Sequence, residues 1–579
     1  MANKLVILGI NYGGHDTSAA LMINGKLIAA CEEERFNNKK HTRDFPKNSI
    51  LECLKIAGIK KNKINIVSVG FDQKRFVYEK YINNALIKDN NFNLINNDKE
   101  KILRSLNIDN EIKNFFDHKF DFHIHPHHLC HLASSFYPSG FKKSFTISYD
   151  GKGESESSMI GIGNKNSIKI INNENHYPNS LGMIYEAVTY YLGWKPKCDE
   201  GIVMGLAPYG NPKELIPGKN YRYIDIFRKI IKINSRLGFK INKEWIAYHL
   251  KRDKWVSDKF YNLFGKKRNW DDKILKKHKD IAAALQLRIE EVVLSQLKFL
   301  QKKYKINYLC LSGGVGLNCS LNGKIEKSKT FKKIFVTPAS GDAGISIGAC
   351  YLSHKQQNKN FVFRKHENFY LGSKFKDTEI LKILKKEKKI TYQNCGKKIN
   401  YKTAELLNKQ KIIAWFQDRS EMGPRALGNR SILCQPFPKS MKDYLNERVK
   451  FREYFRPFAP AVLKEKQKKY FKINQDSYHM LIACNVNIKN KNKIEAVVHV
   501  DNTCRVQTVT KKSNKKFYKL IYEFYKLTKV PVLLNTSFNV KGQPMVNNPK
   551  QAVETLLNTN IDHLVINNFL VTKINKKNR

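Results

Sequence analysis

Five of the sixteen histidines fall between positions 123 and 131. Within that stretch His127 and His131 stand four residues apart, and Pro126 is suited to open a helix at its first turn. Two imidazoles at i and i+4 share one helical face and can share a metal ion. Asp150, expected at the end of the following strand, and Asp342, in a later Gly-rich loop, could close the set with carboxylate oxygens. Two histidines with carboxylates suit iron, manganese or zinc, and ligand type does not choose among them. The plain alternative is a His-rich surface turn.

His15-Asp16, in the first Gly-rich turn, is a second candidate. A histidine beside a carboxylate can act as general base toward a hydroxyl. An equally simple reading is a turn aspartate bonded to its own backbone with a bystander histidine. Lys40-His41, just past the acidic run Glu32-Glu33-Glu34-Arg35, is ambiguous in the same way.

The arginines carry a third signal. Lysine outnumbers arginine 85 to 19, yet seven arginines lie between 419 and 505: Arg419, Arg425, Arg430, Arg448, Arg452, Arg456 and Arg505. A local switch to arginine implies a need for the planar fork that grips phosphate or carboxylate. Arg425 and Arg430 stand among glycines in Gly423-Pro424-Arg425-Ala426-Leu427-Gly428-Asn429-Arg430, where backbone amides could also close on an anion. Surface ion pairs with Glu421, Glu447 and Glu453 are the bland alternative.

These groups need elements to position them. Leu5 to Ile10, Thr17 to Ile23 and Lys26 to Cys31 read as three strands joined by a Gly-rich turn and an Asn-Gly hairpin. The same grammar returns in Ser144 to Tyr149, Ser157 to Ile162 and Ser167 to Ile171, with Asp150-Gly151-Lys152-Gly153 as the turn. Such a duplication predicts two related lobes of the actin, sugar-kinase and Hsp70 kind. Two strand-to-loop-to-helix units follow, at Tyr308 to Asn318 and Ile334 to Asp342. Their Gly-rich loops can present backbone N–H groups to a phosphate, although a tight turn would look the same. Residues 353–400, Lys-rich and without strong periodicity, read as a linker beyond a helix ending near Leu352. Core strands at Ile412 to Phe416 and Val530 to Leu534 belong to a second α/β domain over 401–579. Residues 211–280 read as a helical insertion able to shape an acceptor pocket.

The chain has 579 residues and a formal charge of +53. A polyanion partner is one reading of that charge. The excess is spread as lysine rather than gathered in a stripe, which favours a compositional bias and makes nucleic acid an unexpected partner. Eleven scattered cysteines without a C-x-x-C pair suit reduced thiols in the cytoplasm. The apolar run at the start is too short for a signal peptide, and no window offers the ~20 apolar residues of a membrane span.

At these residues the sequence resembles the O-carbamoyltransferases of nodulation-factor and antibiotic (aminoglycoside, cephamycin) biosynthesis. The likeness runs through Gly9 to Leu21, Glu32 to Pro46, His127 to Pro138, Ser180 to Gly210, Ser312 to Asn322, Gly341 to Gly348, Arg419 to Leu433, Lys450 to Pro460, His499 to Val509 and Pro531 to Val546. It implies an N-terminal metal- and nucleotide-binding transferase domain over 1–352, like the enzyme that places threonylcarbamoyl on tRNA. It also implies a C-terminal domain like threonylcarbamoyl-AMP synthase, which would make carbamoyl-adenylate from carbamoyl phosphate and ATP with Mg2+. Iron would be held by His127, His131, Asp150 and Asp342. His15 and Lys40 would serve the acceptor side, and Asp150 with Gly151 the metal and adenylate. Gly313, Gly314 and Asn318 would lie against the adenylate. Arg425, Arg430, Arg456, Arg505, Asn535 and Ser537 would line the carbamoyl-phosphate site. The acceptor would be a small hydroxylated molecule, a sugar or natural product. Four positions depart from the family pattern: Ile202 for Lys, Asp418 and Asn502 for Gly, and Gln543 for Glu. The glycine replacements bear on the fold only where φ is positive. An RNA-directed carbamoyl-type transferase, suggested by charge, and a degenerate adenylate-binding protein, suggested by the departures, are the competing readings.

Overall fold

The computed structural model describes residues 4–82, 92–251 and 254–574. The chain forms two compact units, one of Met1–Ile28 with His41–His366, the other of Ala29–Lys40 with Glu367–Arg579.

Two five-stranded sheets share one plan and belong to the first unit except for Ala29–Glu32 of one edge strand. Strands β1 (Val6–Asn11), β2 (Ser18–Ile23), β3 (Lys26–Glu32), β4 (Ile66–Val69) and β5 (Asp121–Ile124) lie in the order β3-β2-β1-β4-β5. Strands β6 (Lys143–Tyr149), β7 (Ser158–Asn164), β8 (Ser167–Asn172), β11 (Tyr308–Ser312) and β12 (Lys333–Val336) lie in the order β12-β11-β6-β7-β8. In each sheet the leading strand pairs antiparallel with the next and parallel with a later one: β1 with β2 and β4, β6 with β7 and β11. The expected duplication is therefore a real repeat of topology, and the fold is the α/β, actin- and sugar-kinase-like one. Strand β1 reads as a near-continuous apolar run because both of its faces are covered; every residue of it is buried.

The helix His127–Ser139 packs against the helix Ile345–Gln357, which also lies on β1. Gly348 permits the close crossing, since a Cβ there would stand 2.0 Å from the Cys130 carbonyl oxygen. Pro126 is the residue before the helix, with extended ψ, rather than part of its first turn. The buried Glu154 carboxylate accepts the His127 backbone N–H at 3.0 Å, putting negative charge at the helix start.

The region 211–280 is mixed rather than helical. It holds the helix Tyr223–Ile230, a hairpin of β9 (Ile231–Ile233) and β10 (Phe239–Ile241), and the helix Asp258–Phe264. Residues 353–400 are not a bare linker either. The preceding helix runs to Gln357, and the helix Asp377–Lys386 and strand β13 (Ile390–Asn394) already belong to the second unit. Periodicity was hidden there because lysines occupy the exposed positions between the few buried ones, such as Ile380 and Leu384.

The second unit carries β14 (Ile413–Phe416), β15 (Arg430–Cys434), β16 (Ala459–Leu463), β20 (Gln507–Val509), β21 (Val532–Ser537), β22 (His563–Ile566) and β23 (Phe569–Lys573). With β13 they make a mixed sheet in the order β13-β23-β22-β14-β15-β21-β16-β20. A small antiparallel sheet joins β17 (Phe471–Lys472), β18 (Ala483–Val486) and β19 (Thr503–Arg505). No helix among the described residues is long and apolar enough to cross a membrane, and none of the eleven cysteines is in a disulfide.

Candidate active site

His127, His131, Asp150 and Asp342 come together in the first unit, their ligand atoms all within 4.8 Å of one another. His127 Nε2 lies 3.0 Å from Asp150 Oδ2 and 3.7 Å from Asp342 Oδ1. His131 Nε2 lies 3.5 Å and 3.6 Å from the same two atoms. His131 is fully buried, yet neither of its ring nitrogens makes a hydrogen bond. A buried polar atom without a partner is costly, so this set fits a bound divalent ion. Burial opposes charge on His127, but Asp342 and Asp150 overcome it and push the ring up to about 9. Burial would likewise raise the Asp150 carboxyl; the two imidazoles outweigh it and hold it well below the carboxylate range.

The adjacent His128 shows what a structural histidine looks like. Its Nδ1 pairs with Ser148 Oγ at 2.6 Å and its Nε2 with the Glu156 carbonyl at 3.0 Å. Burial and the neighbouring His127 drive it down to about 3.

The Gly-rich loops meet this cluster from one side. Gly314 N donates to Asp150 Oδ1 at 2.8 Å, fixing the carboxylate. Gly313 has φ +80, and a Cβ there would sit 2.2 Å from the Tyr149 carbonyl oxygen, so only glycine fits. A Cβ on Gly151 would come within 3.3 Å of Glu186 Oε1. Asn318 has another task than the one expected. Its Oδ1 accepts Leu321 N at the start of a helix, and its Nδ2 donates to Gln286 Oε1 at 2.9 Å.

A second group forms from His15, Asp16 and His41. Asp16 takes His15 Nδ1 at 3.2 Å and His41 Nδ1 at 2.6 Å. Lys40 is exposed and belongs to the other compact unit, so His41 and not Lys40 is the residue grouped with His15. The Lys40-His41 dipeptide flagged the place, but the two residues sit in a turn, with His41 at φ 56. Glu186 was missed altogether. Burial, with Glu200 adding to it against Lys197 and His15, pushes its carboxyl up to about 8. Its Oε2 is buried without a hydrogen bond; a lone glutamate in an apolar helix sends no sequence signal.

In the second unit Glu421 Oε1 accepts three backbone N–H groups, from Leu427, Asn429 and Arg430, and so shapes the Arg425 loop. Glu32 and Arg35 brace the loop's entry, Arg35 donating to the Glu421 and Gly423 carbonyls. Arg430 is a correction. It is fully buried, donates to the carbonyls of Gln417, Ser373, Asn429 and Asp418, and stacks 3.6 Å over Phe416. Burial takes its guanidinium down to about 9. It holds the loop through its two terminal nitrogens, while its buried Nε has no hydrogen-bond partner. Asn535 is also engaged, its Nδ2 donating to Ala426 O and Gln507 Oε1.

Arg456 and Arg505 instead join a crowd of one sign. Burial, then Arg456 and Arg505, depress the Arg452 guanidinium well below its usual range. Burial, then Arg452, Arg456 and Lys40, do the same to Lys450. Lys450 Nζ reaches the Ser537 carbonyl at 2.9 Å and hydroxyl at 3.5 Å, and Asn539 Oδ1 at 2.8 Å. Glu453, 3.6 Å from Arg456, is the nearby carboxylate. Arg425 is half-buried on the loop above Arg430. Such repulsion is relieved by an anion. Lys450 escaped notice because one lysine among 85 carries no signal.

A family model described as the carbamoyltransferase N-terminus matches residues 6–351, and one described as the C-terminus matches residues 404–573. The chain belongs to the carbamoyltransferase family. It is an enzyme that transfers carbamoyl groups. Among its relatives, an uncharacterized protein of Synechocystis is 34% identical over 98% of this chain and 96% of its own. Nodulation protein NolNO of Sinorhizobium fredii is 33% identical over 96% of this carbamoyltransferase and 79% of itself. Nodulation protein U of Rhizobium tropici is 26% identical over 96% and 95%. Of solved structures, full-length HypF in its phosphate- and nucleotide-bound form is 14% identical, with a TM-score of 0.29 over 61% of this chain and 56% of that one. At that level the likeness has no bearing on chemistry. Two of the four departures prove to need the freedom of glycine: Asp418 has φ 36 and Asn502 φ 62. Ile202 is buried in the helix Glu200–Leu206, and Gln543 is exposed.

Proposed function

We propose that this carbamoyltransferase makes carbamoyl-adenylate in its second unit and passes the carbamoyl group to a hydroxyl of a small acceptor in its first. The observation that carries the reading is the one-signed cluster of Lys450, Arg452, Arg456 and Arg505, an arrangement that calls for phosphate. Carbamoyl phosphate, ATP with Mg2+ and water would give carbamoyl-adenylate, pyrophosphate and phosphate. Arg456 and Arg505 would neutralise the departing phosphate, with Ser537 Oγ beside Lys450 as a further polar contact. Arg425, on its glycine-flanked loop, would complete this anion site.

In the first unit the acceptor oxygen would attack the carbamoyl carbon, its proton would pass to His15, and AMP would leave. Gly151, Gly313 and Gly314 would let the adenylate approach the backbone, and Gly314 N keeps Asp150 aimed. Iron held by His127, His131, Asp150 and Asp342 would supply Lewis-acid polarisation of the carbamoyl oxygen. Removal of the hydroxyl proton by a positioned base contributes roughly 10²- to 10⁴-fold. Cysteines outside disulfides suit a reducing compartment, which supports a cytoplasmic site of action.

The test incubates iron-loaded protein with ATP and carbamoyl phosphate, then measures pyrophosphate release and carbamoyl-AMP by mass spectrometry. Adenylate from the wild type that vanishes in Arg456→Ala is the expected result. No adenylate from folded wild-type protein would overturn the reading in favour of a degenerate adenylate-binding protein.

A further inference from the structure

Asp16 bridges two histidines. His41 Nδ1 approaches Asp16 Oδ1 at 2.6 Å, and His15 Nδ1 approaches Asp16 Oδ2 at 3.2 Å. The two rings stack with centroids 4.6 Å apart and planes 24° from parallel. All three side chains are about a quarter exposed, so the group borders solvent and is open to a substrate. The backbone holds it in place. Asn11 Nδ2 donates to both the His15 and Asp16 carbonyls, at 2.9 and 3.0 Å, and Thr17 N donates to Thr42 O at 3.2 Å. Asp16 and His41 both take left-handed φ, 54 and 56. Two turns in a sparsely populated conformation, tied together so that their side chains meet, are a costly arrangement for a merely structural end.

The same three residues could be read as a second metal set. Distance argues against it: two ligands on one tetrahedral ion with bonds of about 2.0–2.1 Å stand about 3.3 Å apart. The 2.6 Å contact of His41 with Asp16 is instead the length of a charge-assisted hydrogen bond.

We infer that Asp16 and His41 are positioning residues for His15, holding its proton on Nδ1 so that Nε2 is the atom that takes the acceptor's proton. The carboxylate pairs with His41 Nδ1 through one oxygen and lies 3.2 Å from His15 Nδ1 with the other, the placement from which a triad aspartate sets tautomer and ring plane. His41 supplies the second donor that keeps Asp16 from rotating. Asp342, Glu186 and Glu200 also lie within electrostatic reach of His15, and Cys198 within reach of His41. The inference rests on the transfer reading above for its purpose, but its geometry can be tested apart from it.

Full-length, zinc-loaded protein with ¹⁵N-labelled histidine reports the tautomer of His15 by NMR across pH 6 to 10. In the wild type the neutral ring should carry its proton on Nδ1. In Asp16→Asn, whose side chain keeps the shape but can donate, the proton should move to Nε2. The ratio of carbamoyl transfer to pyrophosphate release, with glycerol as the probe hydroxyl, should then fall by about a hundredfold or more. His41→Gln, which retains a donor, should lower that ratio by about tenfold. Nε2–H in the wild type, an unchanged tautomer in Asp16→Asn, or stoichiometric zinc remaining after His127→Ala with His131→Ala would each overturn the inference. A wild type that makes no adenylate would instead sink the proposed function and leave the tautomer to decide this point.

Discussion

Both candidate half-sites crowd charge into partly dry surroundings, but they balance it differently. In the first unit two imidazoles face two carboxylates at 3.0 to 3.7 Å. With neutral histidines that set carries two negative charges, which a divalent cation would complete. In the second unit Lys450, Arg452, Arg456 and Arg505 face one another, with Glu453 as partial relief. That set would be completed by an anion. The contrast teaches that unmet charge, more than residue type, marks a receptacle. His128 has the same chemistry as its neighbours, but the protein bonds both of its ring nitrogens, and Arg430 spends its two terminal nitrogens on backbone carbonyls.

The sharpest way to break the comparison is to remove the carboxylates from one side. Asp150→Asn with Asp342→Asn should abolish metal retention, read by elemental analysis, and lower carbamoyl transfer by about a thousandfold, the equivalent of several kcal/mol of lost polarisation. Retained metal in that variant would mean that the cluster is an ion-pair network only.

Next in size, Arg430→Ala should cost about 3–5 kcal/mol in urea unfolding, because it leaves a set of buried carbonyls without their donor. Arg456→Ala should leave stability within about 0.5 kcal/mol and lose pyrophosphate release instead. Equal stability losses in the two variants would erase the distinction between brace and ligand.

A binding measurement sharpens the same point. Inorganic phosphate at a hundred times its dissociation constant should raise wild-type stability by about 2.7 kcal/mol and do nothing for Arg456→Ala with Arg505→Ala. A matching rise in both proteins would place the anion elsewhere.

The smallest effect concerns pH. Burial lowers the His41 ring, but its hydrogen bonds to Asp16 and Cys198 outweigh that and push it up from 6.5 to about 10. Its stabilising contribution is therefore complete below about 6.5 and is lost as pH rises through about 10. Between pH 7 and pH 10 the melting temperature of His41→Gln should fall less than that of the wild type. A steeper fall in the variant would contradict the pairing with Asp16.

Much of this was legible before the fold was known, and the pattern of misses has physical causes. The first strands came within two residues because apolar runs between Gly and Asn-Gly turns have few alternatives, as in β1 and β2 against Leu5 to Ile10 and Thr17 to Ile23. Local spacing paired His127 with His131, since i and i+4 on a helix must share a face. The expected linker and helical insertion failed where lysine masked a short buried stripe, or where a hairpin of three-residue strands lacked a long enough pattern to see.

By itself the sequence determined the repeated strand grammar, the family, and the residue types available for a metal, a proton and a phosphate. Only the tertiary structure decided which copy of each type is in use. Asp150 and Asp342 are 192 positions apart, and their meeting depends on β6, β11 and β12 lying side by side in one sheet. Arg430 and Arg456 read alike along the chain; one is enclosed by carbonyls and the other by like charge. Lys40 and His41 are neighbours in the chain, but the fold sends them to different units. Local pattern constrains a residue's own backbone, whereas its charge state and partners come from atoms distant in sequence, and those are set by packing.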